Sequence, residues 1–138
     1  MGLTKVTIND LAYHVIGAAI EVHKILGPGL LESVYHKCLE RELKLRNIRF
    51  VSEYKIPYSY KGTDINIELR CDFLIEDVLV VELKSVETFL PVHQAQTLTY
   101  MKLLNSPKGI LINFNVDNIY YEGQQSLVNE LYRNLPDK

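Results

Sequence analysis

The sequence predicts an α/β domain of α+β type, a mixed central sheet flanked by helices, in the order ααβββαββα. Three observations carry this. Two stretches with apolar residues at spacings of three and four, residues 8–26 and 30–46, open the chain. Period-two alternation takes over near residue 50 and ends in Val78-Leu79-Val80-Val81, a run apolar enough to be buried on both faces. Helical spacing then returns at Pro91, with extended runs after it. At 138 residues the chain is read as one domain, 1–138, with no repeat, low-complexity tract or linker dividing it.

In the first helix Leu11, Val15, Ala18, Val22 and Ile25 form the stripe, and Thr7 with Asp10 resembles a start. Gly27-Pro28-Gly29 breaks it. The second helix should bury Leu31, Val34, Tyr35, Cys38, Leu39 and Leu43, with Glu32 in its first turn. A strand is expected from Phe50 to Tyr60, with Pro57 marking an edge or bulge, and a turn at Lys61-Gly62-Thr63-Asp64. Ile65, Ile67, Leu69 and Cys71 alternate with Asn66, Glu68, Arg70 and Asp72 in a half-buried strand running to Ile75. It turns at Glu76-Asp77 and returns over Leu79 to Lys84. Pro91 opens a helix to Leu104, with Gln96 and Tyr100 on one face and His93 on the same side. Strands at 110–114 and 119–122 and a closing amphipathic helix at 124–134 complete the order.

Composition narrows the function. Apolar (47%) and charged (23%) fractions are those of a globular protein. No apolar run can span a bilayer, and the start MGLTKVTIND has no signal-peptide core, so a cytoplasmic chain without membrane contact is expected. Cys38 and Cys71 make neither a disulfide framework nor a four-ligand zinc site and are read as buried small apolar residues. The net charge of −2 argues against a tight general nucleic-acid binder. It leaves room for an enzyme that meets phosphate through a metal ion, which brings its own positive charge.

The chemistry gathers in Arg70 to Ser85, RCDFLIEDVLVVELKS. Glu82 and Lys84 are two apart on a strand and project from one face. A carboxylate and an ammonium at the end of a buried strand are costly unless paired or metal-bound. Phosphodiester hydrolysis needs a hard cation, an in-line water and activation of that water. Mg2+ (or Mn2+) prefers oxygen ligands and needs only one or two carboxylates. Asp72, Glu82 and the Leu83 carbonyl are candidate ligands, and Lys84 is placed to orient the water. Register sets a condition. A two-residue turn at Glu76-Asp77 pairs Asp72 with Val81 and sends Asp72 and Glu82 to opposite faces. A shared ion requires a three-residue loop, Glu76-Asp77-Val78, or a bulge.

Asp72 followed by Glu82-Leu83-Lys84 resembles the PD-(D/E)XK nuclease superfamily in its E-x-K form, with Cys71 where the signature has proline. Gln96-Thr97-Leu98-Thr99-Tyr100 is similar to the Q-x-x-x-Y helix motif of its RecB-like branch. Gly29-Leu30-Leu31-Glu32-Ser33-Val34-Tyr35 fits the G-x-x-E-x-x-Y signature of a family of small proteins in that superfamily. The resemblance covers about residues 10 to 130. It implies a restriction-endonuclease-like core and a metal-dependent nuclease, acting on DNA ahead of RNA and leaving a 5′-phosphate and a 3′-hydroxyl. It makes Glu32 an active-site acid reaching toward the metal, where spacing alone allows a simple complement to the helix N-terminus. It sets Gln96 and Tyr100 beside the site, to hold phosphate or the lysine, and Tyr35 beneath Glu32 or hydrogen-bonded to it. His93 is read as an exposed helix-start residue. Small members of the superfamily often act as dimers, so a homodimer is expected. The alternative is a catalytically silent binding or interaction module on the same scaffold. Tyr54, Tyr58 and Tyr60 could serve an interface or stack on bases, but β-propensity accounts for them.

Overall fold

The structure, a computed structural model, describes residues 2–138. Its elements are α1 (Lys5–Leu26), α2 (Glu32–Leu45), β1 (Phe50–Ile56), β2 (Ser59–Tyr60), β3 (Thr63–Asp64), β4 (Leu69–Ile75), β5 (Leu79–Lys84), α3 (Pro91–Leu103), β6 (Lys108–Asn113), a π-helical turn (Ile119–Gly123), β7 (Gln124–Val128) and α4 (Glu130–Arg133). Five strands form a mixed sheet in the order β1-β4-β5-β6-β7. Only β5 and β6 run parallel, joined by the crossover helix α3. The expected fold class, a mixed sheet flanked by helices, is what the chain adopts.

Two apolar layers hold the sheet. On one face Val15, Ala19 and Val22 of α1 and Tyr35, Leu39 and Leu43 of α2 meet Phe73, Val81, Leu83, Ile110 and Ile112. On the other, Tyr100 and Met101 of α3 meet Ile56, Cys71, Leu74 and Val80. Both cysteines are free, Cys71 buried and Cys38 half-buried.

Several boundaries differ from expectation for identifiable reasons. The cap of α1 is Thr4 rather than Thr7, because the two threonines cap one another: the Thr7 N–H donates to Thr4 Oγ1 at 3.1 Å and the Thr4 N–H to Thr7 Oγ1 at 2.9 Å. In α2, Leu31 and Val34 are exposed, Cys38 is half-buried, and His36 takes an inside place instead. Residues 65–68 are not in the sheet, because β1 ends at Pro57 and leaves them without a partner. Residues 59–64 make a small separate hairpin, β2–β3.

The two closing predictions are corrected. In place of a strand at 119–122 there is a π-helical turn, stapled where the Tyr121 N–H donates to Asn118 Oδ1 at 3.0 Å. In place of one helix over 124–134, residues 124–128 pair with the free edge of β6, Val128 opposite Lys108 through Gln124 opposite Ile112. Unpaired ladder groups on β6 outweigh a modest helical pattern. Asn129 then caps the short α4.

Gly123 closes the turn against the end of β6. A Cβ there would stand 2.6 Å from the Asn113 carbonyl oxygen and 2.9 Å from Val116 Cγ2. Gly123→Ala is therefore expected to cost about 1–3 kcal/mol in chemical denaturation. A loss below about 0.5 kcal/mol would mean that the turn yields freely.

Candidate active site

The site is built at one end of the β4–β5 hairpin. Ile75 pairs with Leu79, Leu74 with Val80 and Phe73 with Val81, so the loop is the three-residue Glu76-Asp77-Val78. Glu76 and Asp77 adopt φ of 51° and 63°, and Arg49 clamps them, its Nη1 reaching Asp77 at 2.9 Å and its Nη2 reaching Glu76 at 3.2 Å. Continuing the register one step sets Asp72 opposite Glu82. The condition for a shared ion is met by loop length.

The pairing stops there, and the two acids replace it. The Asp72 N–H donates to Glu82 Oε2 at 2.6 Å, and the Leu83 N–H donates to Asp72 Oδ2 at 2.7 Å. Each carboxylate thus spends one oxygen on the opposite strand, leaving Asp72 Oδ1 and Glu82 Oε1 with no hydrogen bond among the described residues.

The same row extends into β1. Ser52 pairs with Phe73 and Tyr54 with Cys71, so Glu53 lies opposite Asp72, at φ 50°. Sidedness inverts along this row. Phe50, Phe73 and Ile75 pack toward α1 and α2, whereas Tyr54, Ile56, Leu69 and Cys71 pack toward α3. The inversion opens Asp72 into a cleft of about 320 Å³, which it lines with Glu32, Ser33, His36, Lys37 and Glu53. His36 is fixed there by stacking on Phe73 at 4.4 Å and by an Nε2 contact of 2.7 Å to Ser52 Oγ.

Glu32 reaches this cleft because Tyr35 locks the turn before it. The Tyr35 hydroxyl donates to the Gly27 carbonyl at 2.6 Å and accepts from the Leu30 N–H at 3.1 Å. Its ring stacks on Phe114 at 4.4 Å. Of the two places expected for Tyr35, beneath Glu32 or hydrogen-bonded to it, the bond is excluded, because the hydroxyl is spent on this loop clamp.

Electrostatics mark the cluster. Burial pushes the Glu82 carboxyl up to about 8, and the charge of Asp72 adds to the shift. Burial raises Asp72 as well, and burial followed by the charge of Asp72 raises Glu32. Lys84, half-buried on β5, opposes the shift at all three acids. Tyr100 is raised by burial and then by the charge of Glu82, which keeps its hydroxyl protonated. Asp72, Glu82, Lys84, Glu32 and Tyr100 therefore form one electrostatic unit. Gln96, which carries no charge, is exposed on the same helix as Tyr100. His93 is spent on the helix start, where its Nδ1 accepts from the Leu90 N–H at 3.0 Å.

The donor set fits a hard divalent cation. It is all oxygen, it carries two free carboxylate oxygens on directly opposed residues, and it sits where burial disfavours uncompensated negative charge. It is a two-carboxylate set. Among the described residues no group of three His, Cys, Asp or Glu side chains converges closely enough to hold an ion. Glu32, expected as a third ligand, lines the cleft without closing on the pair.

Four residues lining the cleft, Ser33, His36, Lys37 and Glu53, were given no role from the sequence. Glu53 looked like the outer face of an ordinary strand, and only the β1–β4 register reveals its place. His36 looked like the polar side of α2. A count of where the apolar stripe of α2 leaves Leu31 unsupported would have rotated the helix and brought His36 inward.

A family model described as PD-(D/E)XK nuclease superfamily matches residues 9–125. No curated protein matches the chain. A solved structure described as "Crystal structure of SSO0001" matches at 24% identity with a TM-score of 0.55, over 73% of this chain and 54% of that one. The chain thus spans about half the length of that protein, and at this identity the likeness shows the fold alone.

Proposed function

The chain belongs to the PD-(D/E)XK nuclease superfamily, and from that premise we propose that it is a divalent-metal-dependent nuclease hydrolysing phosphodiester bonds, in DNA ahead of RNA. The observation that carries this is the opposition of Asp72 and Glu82, with Lys84 two residues on and Glu32 in the same cleft.

Asp72 and Glu82, with the Leu83 carbonyl, are the residues to hold Mg2+ or Mn2+. When bound there, the ion neutralises charge on the scissile phosphate and lowers the pKa of a nearby water. Lys84 Nζ orients the attacking water and stabilises the charge left as its proton departs. Tyr100, kept protonated, donates its O–H to a phosphate oxygen. Glu32, exposed at the cleft mouth but raised above the ordinary glutamate value by partial desolvation and the charge of Asp72, exchanges a proton there. Water adds to phosphorus, the P–O3′ bond breaks, and a 5′-phosphate and a 3′-hydroxyl leave. We include a homodimer, because one chain of this size covers little duplex. A monomer mass in light scattering would remove that part.

The test is incubation with end-labelled single-stranded DNA, duplex DNA and RNA in Mg2+, in Mn2+ and in EDTA. Cutting in the metal buffers and none in EDTA is expected. Intact substrate in all of them would support the second reading, a nuclease-fold binding module, which the net charge of −2 favours.

Stability gives an independent check. The raised carboxyls bind more protons folded than unfolded above about pH 4.5. Their contribution to stability is complete below the unfolded value and is lost as pH rises through about 8. The metal-free protein should therefore lose up to about 1.4 kcal/mol per pH unit across this window from Glu82. Mg2+ should restore it, so the melting-point gain from 5 mM Mg2+ (roughly, for a site that keeps water ligands) should grow from pH 6 to pH 8. A gain that is flat or absent at pH 8 would contradict the metal site.

A further inference from the structure

A second pocket lies apart from the Asp72 cleft, lined by α1 with β6, β7 and the π-helical turn, and shares no lining residue with it. Lys108, at the start of β6, alternates with Ile110 and Ile112 and so points toward α1, while Glu82 alternates with Val80 and points toward α3. Lys108 is only 9% exposed. Its Nζ donates to Asn9 Oδ1 at 2.8 Å and sits 5.7 Å from the Tyr132 ring centroid. No carboxylate pairs with it among the described residues, although an ammonium has three N–H bonds to place. Burial pushes it down from the usual lysine range, a shift that a nearby anion would oppose.

The pocket that Lys108 lines has a volume of about 440 Å³, within the range that holds small molecules. Arg46 reaches it across α1 at Gly17, where the missing side chain leaves room: a Cβ would already be 3.4 Å from Nη1. Arg46 gives its Nε to Glu42, at 3.0 Å, and its two terminal nitrogens make no bond among the described residues. The rings of Tyr13 and Tyr120 line the same pocket and are largely exposed. Two cations with unspent donors beside two open aromatic faces suit a phosphate joined to a planar ring.

We propose that this groove binds a nucleoside monophosphate unit, its phosphate on Lys108, which Asn9 positions by bridging the Lys108 ammonium and the Tyr132 hydroxyl, and its base against Tyr13 or Tyr120, with Arg46 over the ring. The site is separate from the cleavage centre and does not depend on cleavage.

The test is amide NMR of the wild-type protein in EDTA, titrated with 5′-AMP, adenosine and inorganic phosphate. 5′-AMP should shift the amides of Lys108, Gly17 and Tyr120 saturably, phosphate should shift Lys108 without Tyr120, and adenosine should bind most weakly. Lys108→Met should weaken 5′-AMP roughly ten- to a hundredfold, as expected for losing a charge-assisted hydrogen bond, and Lys108→Arg should retain most of the affinity. A 5′-phosphorylated oligonucleotide binding more tightly than 5′-AMP would assign the unit to a strand, and the reverse to a free nucleotide. Shifts confined to residues around Asp72 and Lys84, no saturable shift at millimolar ligand, or unchanged affinity in Lys108→Met would each overturn the proposal. If Lys108→Met does not fold, because Lys108 also braces Tyr132, the wild-type shift map alone decides.

Discussion

Glu82→Gln is expected to slow cleavage at least about 10³-fold and, at pH 8, to raise the thermal midpoint of the metal-free protein. The two effects share one cause. Glu82 is 4% exposed, opposite a second carboxylate, and must be ionised to hold a cation. Without the cation that charge is a burden, which the amide removes while keeping an oxygen to accept the Asp72 N–H. Lys84→Ala should lower the rate about 10²–10³-fold and also lower the melting point of the metal-free protein, since Lys84 offsets the charge of all three acids at rest as well as the charge that develops in the reaction. Single-turnover rates in Mg2+ and melts in EDTA check both. A Glu82→Gln protein that cuts normally would remove the catalytic assignment, and one less stable than wild type at pH 8 would remove the electrostatic one.

Tyr35→Ala should be the most damaging change away from the acids, costing about 3–5 kcal/mol. Tyr35 is fully buried against Phe114, and its hydroxyl satisfies both the Gly27 carbonyl and the Leu30 N–H. Against a typical total of about 5–15 kcal/mol, that leaves a marginal fold. Tyr35→Phe keeps the ring and should cost about 1–2 kcal/mol. It should also slow cleavage, because the loop it frees leads directly into Glu32. Urea denaturation of both variants separates the contributions. A loss under about 1 kcal/mol for the alanine variant would show that neither stack nor clamp matters.

How much of this could be read from the residues follows from which forces are local. Helices with a regular apolar stripe, and the buried run Leu79-Val80-Val81, declared themselves because their periods are set by burial, while Val78 fell in the loop. The motif residues of β4 and β5 stood out because charge at the end of a buried strand is costly. For the loop, the requirement that two carboxylates share one face left two choices, three residues or a bulge, and the chain takes the first. What failed depended on distant partners. Gln124–Val128 became a strand because β6 offered an open edge 16 residues earlier in sequence, which no local pattern announces. Glu53 entered the site through a register fixed by Phe50 opposite Ile75, and Tyr35 took its bond from a loop rather than from the acid three residues before it.

The most direct test is a crystal soaked in Mn2+, with anomalous scattering used to locate the ion. A peak bridging Asp72 Oδ1 and Glu82 Oε1, within bonding distance of the Leu83 carbonyl, is expected. Manganese elsewhere on the surface, with those two oxygens left to water alone at pH 8, would contradict it.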